Sequence, residues 1–166
     1  GPDAESVALA WRFPGLASKD FEVLQVVSQV LYNGKAGLID LDLNQQQKVL
    51  NSYGYPMGLA DYSAFILGGL PKQGQTLEEV KDLLLNEIKK LRAGEFDEKM
   101  LQANINNFKL YELQSMESNE GRADIFVNSF INGTNWEDEV TAIDRMAKLT
   151  KEDIVAFADK YLKEDN

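Results

Sequence analysis

The sequence predicts an α+β domain: an antiparallel sheet with helices packed on one face. Three observations carry that prediction. "VALAWRFP" near the start and residues 49–70 show the two-residue apolar alternation of strands. Almost everything after residue 75 carries apolar residues at three- and four-residue steps. The strands are segregated from this helical tail instead of alternating with helices one for one, which is the pattern of α+β and not of α/β folds.

The elements follow in order. Val7, Leu9, Trp11 and Phe13 share one face of the first strand, Ala8, Ala10 and Arg12 the other, and Pro14 stops it. A helix follows, with Leu24, Val27 and Leu31 on its stripe, Ser18 or Asp20 as its cap and Gly34 as its stop. A short helix around Leu38 and Leu41 carries the run Asn44-Gln45-Gln46-Gln47-Lys48 and ends near Leu50. Val49, Asn51, Tyr53 and Tyr55 alternate on a second strand, and Ala60-Asp61 turns the chain into a third, ended by Gly68-Gly69 and Pro71. Thr76 and Glu79 form a capping box for a helix with Leu77, Val80, Leu84, Ile88 and Leu91 on its stripe, ended by Gly94. Asp97 caps a long helix carrying Leu101, Ile105, Phe108 and Tyr111. "NEGRADIFVNSFING" reads as another, with Ile125, Phe126 and Phe130 inward. Asn135-Trp136 starts the next. Thr150 to Asp153 resembles a second capping box, ahead of Ile154, Ala158 and Tyr161. The 166 residues form one domain, 1–166, with Gly1-Pro2 expected to be a tag remnant. Three strands are few for so much helix, so the sheet is expected to lack a terminal strand.

Composition removes several kinds of chemistry. With 17 basic and 27 acidic side chains the net charge is −10, which argues against a nucleic-acid partner and against an anionic membrane. No apolar run approaches a membrane span. There is no Cys and no His. A thiol nucleophile, a thiolate zinc site and the usual base of a serine triad are therefore unavailable, leaving carboxylates, Lys, Tyr and Ser.

Several clusters have an ordinary reading beside the functional one. Asp40 and Asp42 suit a solvated helix start better than a calcium loop, which needs a glycine and a distal Glu at set spacing. Glu137, Asp138 and Glu139 favour the macrodipole at a helix start. Asn132-Gly133-Thr134 matches a glycosylation sequon but reads as a helix stop. "LGGLPKQG" lacks phosphate-loop spacing. Tyr53, Tyr55 and Tyr62 suit strand packing, or a recognition surface if the hairpin faces a cavity.

Taken in order, "FPG", "KDFEVLQVVSQVLYNGKAGLIDLDL", "VLNSYGYPMGL", "FILGGLP", "LRAGEFDEKML" and "LTKEDIVAFADKYL" resemble the pitrilysin/insulinase zinc metallopeptidase family, which includes the mitochondrial processing peptidases. The resemblance runs over nearly the whole chain, and is to the non-catalytic domain that follows the catalytic one. In the family, zinc is held by an H-x-x-E-H helix whose Glu activates water. This chain has no His, so the resemblance implies no cofactor here and zinc in a neighbouring catalytic domain of the parent. It also implies two partners: the catalytic domain or half of that parent, and a peptide bound as an added strand. The implied function is to wall the peptide chamber and position extended substrates. The alternative is a scaffold or interaction domain of an inactive member, and an independent carboxylate hydrolase ranks last.

In active relatives the matching stretch carries an Arg and, some seven residues on, a Tyr. Here the Arg position falls on Asn44 or Gln45, and Tyr53 matches the Tyr only with an insertion. The substrate-contact candidates are thus Asn44, Gln45, Tyr53 and Tyr55, with no catalytic residue and no metal ligand. The family also continues past "YL" into one more strand. An open sheet edge in its place implies self-association. A bacterial envelope, periplasmic or cytoplasmic setting is compatible with all of this.

Overall fold

A computed structural model describes residues 5–117, 123, 127 and 136–163. The described elements run β1 (Val7–Pro14), α1 (Lys19–Leu31), a π-helical turn (Asp40–Asn44), β2 (Asn51–Gly58), β3 (Tyr62–Leu70), α2 (Leu77–Arg92), α3 (Glu98–Glu117), α4 (Trp136–Met146) and α5 (Lys151–Tyr161). The helix expected around Ile125, Phe126 and Phe130, and the Asn132 sequon, lie outside the described residues.

The three strands form one antiparallel sheet in the order β1-β3-β2, so β3 is central. Trp11 pairs with Phe65 and Leu9 with Leu67 across β1 and β3. Directly opposed residues of an antiparallel pair project to the same side. One face therefore carries Trp11, Phe13, Phe65 and Leu67, all buried. Phe13 stacks on Phe157 of α5 at 5.7 Å. α1, α2 and α5 all contact the strands, and α3 and α4 pack onto α1 and onto each other. The other face carries Ala8, Ala10, Arg12, Tyr53, Tyr55, Met57 and Tyr62, exposed or half-buried. Among the described residues no helix covers it.

The caps act as expected. Ser18 Oγ accepts the Phe21 N–H at 3.2 Å, and Thr76–Glu79 and Thr150–Asp153 are complete capping boxes. Arg92 reaches from α2 to Asp159 of α5 at 2.7 Å, and Arg145 from α4 to Glu22 of α1, Nε to Oε2, at 2.9 Å.

Four local expectations are revised. Gly68-Gly69 do not end β3; they lie inside it, and each clears one face. A Cβ on Gly68 would lie 2.3 Å from the Tyr53 ring on the outer side, and one on Gly69 would lie 2.6 Å from Val80 of α2 on the inner side. α1 stops at Leu31, before Gly34, because the chain folds straight back: a Cβ on Gly37 would sit 2.6 Å from the Leu31 carbonyl oxygen. Asp40 is not a solvated helix start. It is buried, and its Oδ2 accepts the N–H groups of Asn33 (2.9 Å) and Gly37 (3.0 Å), which closes that return loop. Leu101 and Ile105 of α3 are buried, but Tyr111 is 68% exposed and not inward.

Candidate functional site

The polar run that follows the π-helical turn divides into two parts. Gln45, Gln46, Gln47 and Lys48 are exposed, as a solvated face should be. Their backbone is nevertheless held: Lys72 Nζ donates to the Gln47 carbonyl at 2.8 Å, and Gln75 Nε2 to the Lys48 carbonyl at 3.0 Å. Gln45 spends its own side-chain N–H on the Lys35 carbonyl at 2.8 Å.

Asn44 is different. Its Oδ1 accepts from the Ser52 N–H and the Ser52 hydroxyl, both at 2.8 Å, and its Nδ2 donates to the Ser52 carbonyl at 2.9 Å. An amide carries one acceptor and two donors, so this clamp uses most of its capacity. Asn44 thereby ties the turn to the second residue of β2 and sets where that edge strand begins.

The next residue of β2, Tyr53, stands on the outer face. Tyr53 lies over Gly68 of the central strand. Tyr55 stacks beside it with ring centroids 6.2 Å apart. Tyr62 sits at the far end of the hairpin, where the Arg12 guanidinium lies 4.9 Å from its ring centroid, a cation–π distance. The structure thus brings Tyr53 and Tyr55 together on one open face and leaves Asn44 and Gln45 beside it, at the start of the edge strand. Arg12 was not among the sequence candidates. Its signal was its place on the Ala8–Ala10 side of the first strand, the side that alternation assigns to solvent.

The second polar cluster was not foreseen. Lys90 of α2 reaches Asp42 Oδ2 at 2.7 Å and Glu87 Oε1 at 2.9 Å. Glu87 is buried, and its Oε2 has no hydrogen-bond partner. Burial pushes its carboxyl above the ordinary range, against the pull of the Lys90 ammonium. Burial also pushes Asp42 up, but the hydrogen bond and charge of Lys90 outweigh it and hold Asp42 below its ordinary value. The Lys90 ammonium is desolvated too, yet its two carboxylate partners raise its pKa. The triad fastens the π-helical turn to α2 and so fixes the approach to β2. The Glu87–Lys90 spacing is visible in the sequence; Asp42, 48 residues away, is not.

Among the described residues no zinc site is formed. The chain lacks the nitrogen and sulfur ligands that zinc favours, and among the described residues no three carboxylates converge.

Known proteins share this fold. Residues 1–108 match the family described as "Peptidase M16 inactive domain". The chain is 27% identical to the "Zinc protease PqqE" of Helicobacter pylori over 169 residues, covering 99% of this chain and 37% of that protein. The crystal structure of a protease from Helicobacter pylori superposes with a TM-score of 0.88 at 22% identity, over 96% of this chain and 38% of that one. An inactive peptidase domain from Bordetella parapertussis superposes at 0.82 and 17% identity, over 99% of this chain and 90% of its own. These structural likenesses establish the α+β fold. The chain spans 37% of the length of the curated relative it matches. With the family match running over residues 1–108 of 166, the chain belongs to the peptidase M16 inactive-domain family.

Proposed function

We propose that this domain is a non-catalytic wall of a zinc metallopeptidase and helps to position extended peptides. The observation that carries the reading is the outer face of the sheet. Among the described residues it is free of helices, it bears the stacked Tyr53–Tyr55 pair, and it borders β2, which is paired there on one side only. An extended peptide needs backbone partners in register and flat surface for alternate side chains; an open strand edge beside aromatic rings supplies both.

The roles then divide. Tyr53 and Tyr55 would contact the peptide. Gln45, exposed at the approach to β2, would meet its end. Asn44 acts by positioning, because its amide is occupied by Ser52. Zinc and the water-activating carboxylate belong to the neighbouring catalytic part of the parent, which is also the covalently linked partner of this domain. Alone, the chain would bind but not cleave.

The test is an NMR titration of this chain with a short, unstructured, amide-capped peptide that contains lysine and lacks tyrosine. The Tyr53 and Tyr55 ring resonances and the β2 amides should shift, Tyr55→Ala should weaken binding several-fold, and the peptide should stay intact with zinc added. Shifts confined to the helical side of the sheet, or a Tyr55→Ala chain that binds equally well, would defeat the reading.

A further inference from the structure

A second site lies on the helical side of the molecule and does not depend on the function proposed above. Between the end of α1, the loop that follows it and the first half of α3 is a cleft of about 490 Å³. That is a size at which small-molecule and peptide sites occur. Its lining is mainly apolar with polar groups set into it, and one lining residue, Asn104, carries a buried, unsatisfied donor.

The donor is identified by the bonds around it. Asn33 Oδ1 accepts the N–H groups of Lys35 (3.0 Å) and Ala36 (2.8 Å), so the orientation of the Asn33 amide is set. Its Nδ2 donates to the Gln29 carbonyl at 3.1 Å and faces Asn104 Oδ1 at 3.4 Å. Asn104 must therefore present its oxygen to Asn33. Its Nδ2 is left buried with no partner, in a residue only 3% exposed. Buried amide donors are rarely left unpaired, so this one calls for an acceptor.

The charges in the cleft say which acceptor. Lys35 and Lys99 both line it. Both are exposed, and among the described residues neither ammonium has a carboxylate within ion-pair distance. In a chain of net charge −10, two such lysines at one cleft are unexpected. Asp97 is the single acid of the lining, and its Oδ1 already accepts the Lys99 backbone N–H at 2.9 Å. Because screening confines surface charge to about 8 Å at physiological salt, the local pair and not the distant acidic surface sets the field here. Gln29 and Asn107 add free side-chain amides, which match the donor and acceptor of a peptide group.

We infer that the cleft between α1 and α3 binds a peptide carboxylate, with Asn104 Nδ2 as the buried donor and Lys35 and Lys99 as the countercharge. The carboxylate can come from a chain terminus or from an acidic side chain; the chemistry is the same.

Three probes distinguish the sources: acetyl-tetraalanine with a free C-terminus, the same peptide as its C-terminal amide, and an amide-capped acetylated alanine peptide containing one glutamate. The readout is the side-chain NH2 resonances of Asn104 and Asn107 in this chain. At least one acidic probe should shift them saturably, and the uncharged amide should bind roughly tenfold more weakly, as expected for loss of a charge-assisted bond. Lys35→Gln and Lys99→Gln, both at exposed positions, should each weaken the acidic probe several-fold, while Tyr55→Ala should not. Binding by the free acid alone assigns the site to chain termini, and binding by the glutamyl peptide alone to side chains. If no probe shifts Asn104, the orphan donor serves only a buried water; if all three bind alike, no carboxylate is recognised. Either result overturns the inference.

Discussion

The two faces of the sheet are made from the same strands, often from adjacent residues, and differ in everything but backbone. Inward, Trp11, Phe13, Phe65 and Leu67 are sealed beneath α1, α2 and α5. Outward, Arg12, Tyr53, Tyr55 and Tyr62 stand on an open surface held by ring and cation–π contacts. Burial decides the inner residues, because each apolar group removed from water contributes to stability and each void costs. Among the described residues no helix constrains the outer residues in this way.

The largest test of this contrast is at the centre of the inner face. Phe65 is fully buried, and Phe65→Ala should cost about 3–5 kcal/mol in chemical denaturation. A cost near zero would mean that the inner face is not the core.

The adjacent glycines provide a sharper comparison. Gly69→Ala drives a methyl into Val80 of α2, which is itself buried, and should cost about 1–3 kcal/mol. Gly68→Ala meets the half-exposed Tyr53 ring, which can swing into solvent, and should cost less than about 1 kcal/mol. Equal losses in urea titrations of the two variants would erase the distinction between faces.

A smaller effect is expected where α2 holds the approach to β2. Glu87 has a raised pKa in the fold. The folded state therefore binds its proton more tightly than the unfolded chain, and the Glu87 contribution is fully present below the ordinary Glu range and lost as pH rises through the folded value. Asp42 has the opposite sign: its depressed pKa stabilises above the ordinary Asp range and is lost as pH falls through the folded value. Glu87→Gln should thus gain on the parent chain as pH is raised from 4 to 7, since it removes a buried group that resists ionisation while Lys90 keeps Asp42. Stability curves at several pH values would show it, and a pH-independent difference would contradict the assignment.

The smallest effect should be at Tyr55. The residue is 47% exposed, so Tyr55→Ala should change stability by no more than about 0.5 kcal/mol while weakening peptide binding. Thermal melts beside the peptide titration would separate the two.

Much of this was legible because it is local. Alternation in "VALAWRFP" assigned Trp11 and Phe13 to one face before any coordinates, since the side-chain period of a strand is two. The capping boxes at Thr76 and Thr150 were readable for the same reason: donor and acceptor are three residues apart. The candidate site was readable only in part. Tyr53 and Tyr55 share a strand face, so their pairing followed from spacing. Asn44 was a candidate because the resemblance puts the family's Arg position at Asn44 or Gln45; that its amide binds Ser52 depends on the turn between them. Tyr111 followed the stripe of α3 but falls where that helix has no described neighbour to cover it.

By itself, then, the sequence determined the fold class, the caps, the inward faces of the main helices and the absence of imidazole and thiol ligands, all set by residue type and short-range periodicity. Only the tertiary structure decided that Asp40 closes a return loop, that Asp42 shares Lys90 with Glu87, that Gly68 and Gly69 clear opposite faces, and that Asn104 is left with a free donor. Each of these joins residues distant in the chain or depends on which neighbour takes a hydrogen bond first. Packing settles such questions, because the cost of a buried polar group depends on which partners the fold brings to it.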